Sequence, residues 1–170
     1  MIRFVGLLGT CAVIAGCSAA TASEEFTLVQ ETPALTSIKV DDQPGKASAN
    51  TNAHGDLVAF DAPVSRDGAL VGDVSGLLTT VDIPASGATG RDALEERFGT
   101  LVFRFNDIDT IVVSGSSVYP PAEAEMSADA PQFRAVLGGT GAYVAATGEV
   151  ETVRNADGTY SHRFTLFKVR

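Results

Sequence analysis

The sequence predicts an all-β fold, an eight-stranded antiparallel barrel closed on itself, with a β-sandwich as the second arrangement. Two observations carry this. Short alternating or β-branched runs recur, about eight or nine of them, separated by clusters of Gly, Pro, Asn and Asp, and no long helical pattern competes with them. Glycines also fall inside a strand-like run, at Gly72 and Gly76, where a strand must bend sharply for a sheet to close. An eight-strand barrel encloses a filled core or one small ligand.

The N-terminus reads as an export signal. Arg3 precedes an apolar run from Phe4 to Ala15, too short to span a membrane as a helix. The run ends in Ile14-Ala15-Gly16-Cys17, similar to a bacterial lipobox, in which the cysteine is lipidated and becomes the new N-terminus. Residues 1–16 are therefore expected to be a lipoprotein signal peptide, 17–25 a polar tether and 26–170 the barrel. Ser18 rather than Asp follows the cysteine. By resemblance to Gram-negative lipoproteins, this points to the outer membrane and to a lipid anchor at Cys17. The other reading is a soluble exported protein, cut near Ala19-Ala20 or Ala22.

Within the domain, Phe26–Glu31 alternates as a first strand, Pro33 interrupts it, and Ser37–Val40 resumes. Residues 41–54 carry loop chemistry throughout. Gly55–Phe60 opens the next strand, and Ala69–Pro84 is a long one. Asp92–Arg97 has room for a helical turn. Strands at Thr100–Asn106 and Thr110–Ser116 flank a hairpin at Asn106–Asp109, and Tyr119–Pro131 is a loop rich in Pro, Ala and acids. Phe133–Glu149 contains Gly138-Gly139-Thr140-Gly141 between two strands. A phosphate loop would need Lys and Ser or Thr after its last glycine, but Ala142-Tyr143 follow, so the segment reads as a strand-to-strand corner. Asn155–Gly158 is a hairpin turn before a last strand at Thr159–Val169.

Composition narrows the partners. A formal net charge of −9 argues against nucleic acid and against charge-driven adhesion to an anionic membrane. Both cysteines, Cys11 and Cys17, precede the domain, which leaves it without a disulfide or a thiolate metal site. His54 and His162 stand far apart without a carboxylate cluster and read as solvated, so neither a metal nor a cofactor is expected. Asp56 and Asp73 follow glycines and suit turn bonding, and Tyr143 suits packing beside the corner. Arg104 and Arg134 face outward or pair with an acid at a barrel mouth; the pattern leaves both open.

Three blocks resemble the allene oxide cyclase and dirigent superfamily, whose fold is an eight-stranded, calycin-type barrel with a mostly apolar cavity. They are Gly55-Asp56-Leu57-Val58-Ala59-Phe60, Val71-Gly72-Asp73-Val74-Ser75-Gly76-Leu77, and Leu137-Gly138-Gly139-Thr140-Gly141-Ala142-Tyr143 with Gly148-Glu149, in family order. The resemblance implies a cavity that holds a reactive intermediate in one geometry. It makes Glu31, at the end of the first strand, the candidate general acid or base. It makes Phe60, which closes the first block, and Leu78, at the position of the cyclases' cysteine, the candidate ligand-binding side chains. Other polar positions of the plant cyclases differ: Pro33 and Ala62 replace two asparagines. The resemblance also implies a homo-oligomer. The expected function is a cell-envelope lipoprotein barrel that binds a small apolar molecule and steers its cyclisation or coupling, as an isomerase or a dirigent protein does. A non-catalytic carrier of a hydrophobic ligand and a structural envelope lipoprotein are the alternatives.

Overall fold

The computed structural model describes residues 22–38, 53–121 and 123–168. The expected signal peptide, Cys17 and most of the 41–54 loop lie outside the described residues. Nine strands follow in chain order: β1 (Ala22–Gln30), β2 (Ala34–Ile38), β3 (Leu57–Arg66), β4 (Ala69–Asp82), β5 (Glu95–Arg104), β6 (Thr110–Tyr119), β7 (Gln132–Thr140), β8 (Ala146–Arg154) and β9 (Tyr160–Lys168). All neighbours pair antiparallel in the order β1-β9-β8-β7-β6-β5-β4-β3-β2.

Closure comes from one further pairing. β1 meets β3 at Val29↔Ser65 and Gln30↔Val64, while β2 pairs with the other half of β3, from Ala34↔Asp61 to Ile38↔Leu57. β1 and β2 are thus two halves of one strand position, parted at Thr32-Pro33, where proline has no N–H to offer the ladder. The nine segments form a closed eight-stranded antiparallel barrel, and closure removes the exposed edge that an open sheet would present.

Several boundaries differ from expectation, three of them near the site or the N-terminus. β1 starts at Ala22, inside the expected tether. Glu31 lies just past its end. The expected helical turn at Asp92–Arg97 divides into a 3₁₀ turn at Gly90–Ala93 and the start of β5, because Glu95–Arg97 already pairs with Tyr119–Ser117 of β6.

One half of the interior is packed with apolar side chains. Phe26 stacks on Phe164 with ring centroids 4.9 Å apart, Phe103 meets Phe164 edge-on at 5.0 Å, and Val64, Val74, Ile111, Val150 and Leu166 fill the space around them. This end is closed by the glycine corner. Gly141 has φ +57°, a conformation glycine adopts without Cβ strain, and a Cβ there would lie 2.0 Å from Asp109 Oδ1. The Ala142 N–H donates to that same oxygen at 2.8 Å, and the Asn106 side chain donates to Asp109 Oδ2 at 2.7 Å. These bonds hold the Asp109 carboxyl below its usual range. Tyr143 packs on Phe105, and Asp73 forms a two-pronged ion pair with Arg104 on the outer surface. Asp56 accepts the Ala53 N–H at 2.8 Å, turn bonding of the kind its place after a glycine suggests.

Candidate functional site

The other half of the interior is polar and not filled. Inward positions of the strands deliver Gln30 (β1), Tyr119 (β6), Arg134 (β7), Thr152 (β8), and Tyr160 and His162 (β9) to one end of the barrel. Val58, Phe60, Leu78 and Leu101 line the same space from β3, β4 and β5, with Leu35 of β2 and Ala124 and Met126 of the 120–131 loop at its rim. The cavity measures about 40 Å³. That is room for a few waters or a small group of atoms, at roughly 10–15 Å³ per water. Its apolar wall is shaped by glycines on the neighbouring strands. A Cβ on Gly76 would meet the Phe60 ring at 2.4 Å, and one on Gly99 would meet Leu78 Cδ2 at 2.2 Å. Both large side chains therefore lie flat over a glycine instead of crossing the cavity.

His162 is fully enclosed, which corrects the solvated position expected from its place near a hairpin end. It shares strand parity with Tyr160, Phe164 and Leu166, all of which point inward. Its Nε2 lies 2.9 Å from Gln30 Oε1, an acceptor only, so Nε2 carries the proton. Nδ1 then accepts from the Thr152 hydroxyl at 3.0 Å. Both ring nitrogens are thus occupied in the neutral form. Burial, aided by the charge of Arg134, pushes the imidazole pKa down to about 3. Phe103 sits edge-on to the ring at 5.0 Å and joins the polar half to the apolar core.

Two arginines are buried here, with different surroundings. Arg97 pairs with Glu95 at 3.0 Å, donates to the loop carbonyls of Glu123 and Ala124, and lies 4.2 Å above the Tyr119 ring. Arg134 is only 4% exposed, which removes the outward alternative left open by the sequence. Its Nη2 donates to Ser117 Oγ, and among the described residues its Nε, like those of Arg97 and Arg154, has no partner. Among the described residues no carboxylate lies within ion-pairing distance of Arg134. Ser117 in turn donates to the Tyr119 hydroxyl at 3.3 Å. At the rim, Glu125 accepts from Arg154 at 2.9 Å and from Tyr160 at 3.4 Å, fastening the 120–131 loop over the opening. Burial and the nearby Glu125 charge push the Tyr160 phenol well above its ordinary range.

The structure places Phe60 and Leu78 in the cavity wall. Glu31 is exposed, outside the lining, and its backbone N–H donates to Pro63 O at 3.1 Å. Inward parity on β1 belongs to Phe26, Leu28 and Gln30, so Gln30 occupies the interior position next to it. His54 is exposed on its turn, with Nδ1 3.1 Å from Val81 O. The sequence reading missed Gln30, Tyr119, Thr152 and Tyr160, and left Arg134 undecided. The available signal was parity: Arg134 alternates with Val136, and His162 with Phe164.

Solved structures of other proteins share this closed-barrel fold, each under 25% identical to this chain. The chain is similar to a pyocyanin demethylase (22% identity, 84% of this chain and 99% of that one, TM-score 0.57). It is also similar to the pterocarpan synthase dirigent protein GePTS1 (16% identity, 96% and 98%, TM-score 0.58). A third neighbour is the Diels–Alderase AbmU from Streptomyces koyangensis (14% identity, TM-score 0.58), where the match covers 85% of this chain and 64% of that one. No protein-family model and no curated protein matches the sequence.

Proposed function

We propose that the barrel binds a small, largely apolar molecule at its polar end, part of it in the cavity and the rest at the opening, and steers that molecule's cyclisation or coupling by shape. The observation that carries this is a cavity walled by Phe60, Leu78, Leu101 and Met126, with its polar groups gathered on one side. That is the division of labour of small-molecule sites: apolar walls bury the ligand, and a few polar groups orient it. Neighbours with this fold named as a cyclising enzyme, a dirigent protein and a demethylase support the reading.

The lining favours steering over proton transfer. None of its described residues is a carboxylate, and both nitrogens of His162 are engaged. Holding a flexible reactant in one near-attack geometry accelerates a reaction without a general acid or base. Native mass spectrometry of the protein purified from its own cells should find a bound molecule, and incubation with that molecule's precursor should give one cyclised or coupled product. A bound molecule recovered unchanged would leave a carrier. An empty barrel that takes up no apolar probe would end the ligand reading. We further propose that the barrel works in the cell envelope, anchored through Cys17; labelled palmitate should enter the native chain and not a Cys17→Ser variant.

A further inference from the structure

Arg97 and Arg134 form an internal comparison. Arg97 has a carboxylate, two carbonyls and a ring around its guanidinium. Arg134 is as enclosed, yet its one described partner is the hydroxyl of Ser117; the Nε–H lacks an acceptor among the described residues in both, so the difference is the missing carboxylate. An uncompensated buried charge is strongly destabilising, so a fold that keeps one invites a counter-ion.

The groups around it repeat the pattern. Ser117 gives its hydrogen to the Tyr119 hydroxyl, whose own hydrogen has no acceptor among the described residues. Gln30 Oε1 is taken up by His162, and no described residue accepts from the Gln30 amide nitrogen. Arg134, Tyr119 and Gln30 all line the cavity. The polar side is thus rich in donors and carries a positive charge.

We propose that this cavity is a carboxylate-binding site: the ligand is an apolar molecule whose one carboxylate enters the cavity, held by Arg134 with Tyr119 and Gln30 as further donors, while its chain extends out past the rim. This rests on the reading of the cavity as a ligand site and specifies the ligand's chemical class. A guanidinium suits this task because its planar fork matches a carboxylate and it stays charged when buried. Neutral His162 holds Gln30 from behind and leaves the anion to Arg134.

The test uses a matched pair of probes, octanoate and octanamide, which share a chain and differ in charge. Isothermal titration at pH 7.5 should show octanoate binding at least tenfold more tightly than octanamide. Arg134→Met should erase that preference while still binding octanamide. Thermal unfolding without ligand should find Arg134→Met at least as stable as the parent, because a buried unpaired charge is replaced by an apolar side chain of similar length. Should that variant fail to fold, Arg134→Lys, which keeps the charge and loses the fork, should bind octanoate several-fold more weakly than the parent. Equal affinity for the two probes, or a preference that survives Arg134→Met, would overturn the carboxylate assignment and leave the ligand cavity standing. Binding of neither probe would remove both.

Discussion

At one end of the barrel, Phe26 stacks on Phe164 and Phe103 meets Phe164 edge-on; at the other, Gln30, Arg134, Thr152 and His162 occupy inward positions, Gln30 and His162 on the same strands as Phe26 and Phe164. β9 crosses the border within one strand, with Phe164 and Leu166 on the apolar side and Tyr160 and His162 on the polar side. The apolar end has the contacts expected of a core built for stability. The polar end contains a cavity, a neutral histidine and three guanidiniums whose Nε atoms have no partner among the described residues. The difference shows how one closed sheet separates two tasks along its axis. The packed half makes the fold stable enough for the other half to keep unsatisfied groups.

The largest expected effect breaks the packed half. Phe164 is fully buried between two other aromatic rings. Phe164→Ala should cost about 3–5 kcal/mol, the range for deleting a buried aromatic side chain. Urea unfolding followed by tyrosine fluorescence reads this directly. A loss below about 1 kcal/mol would mean that the two halves do not differ as described.

The second effect belongs to the polar half and depends on pH. His162 titrates near 6.5 in the unfolded chain and near 3 in the fold. Between these values the unfolded chain holds one more proton, so stability falls as pH drops, by about 1.4 kcal/mol per unit. About 1.6 kcal/mol should be lost between pH 6.5 and pH 5, and above about pH 8 this group should contribute almost no slope. His162→Gln cannot take up that proton. Its stability should therefore fall less steeply than the parent's over the same interval, even if it starts lower at pH 7. Parallel curves for the two proteins would contradict the buried neutral imidazole.

A third prediction concerns the corner that closes the apolar end. Gly141→Ala places a side chain at φ +57° and against Asp109. The left-handed conformation alone costs about 1–2 kcal/mol, and octanoate binding at the far end should be unchanged. A lost binding signal in a folded variant would show that the two ends are coupled.

The architecture was legible in the sequence because its signals are local. Gly138–Gly141, the Asn106–Asp109 hairpin and the Asn155–Gly158 turn each announce themselves within a few residues, and the strands between them follow. The site was not, because it depends on which face of each strand turns inward. On β7 the usual pattern is reversed: Phe133 and Leu137 are more than half exposed, while Arg134 is buried. A reading by hydropathy alone turns that strand the wrong way. A register shift between Val112 and Val113 also interrupts the ladder beside it, so simple alternation on β6 cannot be carried across to β7. Glu31 illustrates the same point at smaller scale, since an offset of one residue exchanges the interior for the surface.

The smallest predicted effect therefore sharpens the comparison most. Glu31 and Gln30 are adjacent, one exposed and the other inside and bonded to His162. Gln30→Ala would strand the His162 Nε2–H and should cost about 1 kcal/mol or more, because a buried donor loses its partner. Glu31→Ala removes only an exposed side chain. The bond from its backbone N–H to Pro63 O survives the substitution, so stability should change by less than about 0.5 kcal/mol. Octanoate affinity should fall in the first variant and stay constant in the second. The reverse result would put Glu31 in the cavity and the polar half one residue out of register. It would also return the general acid or base of the sequence reading to the site.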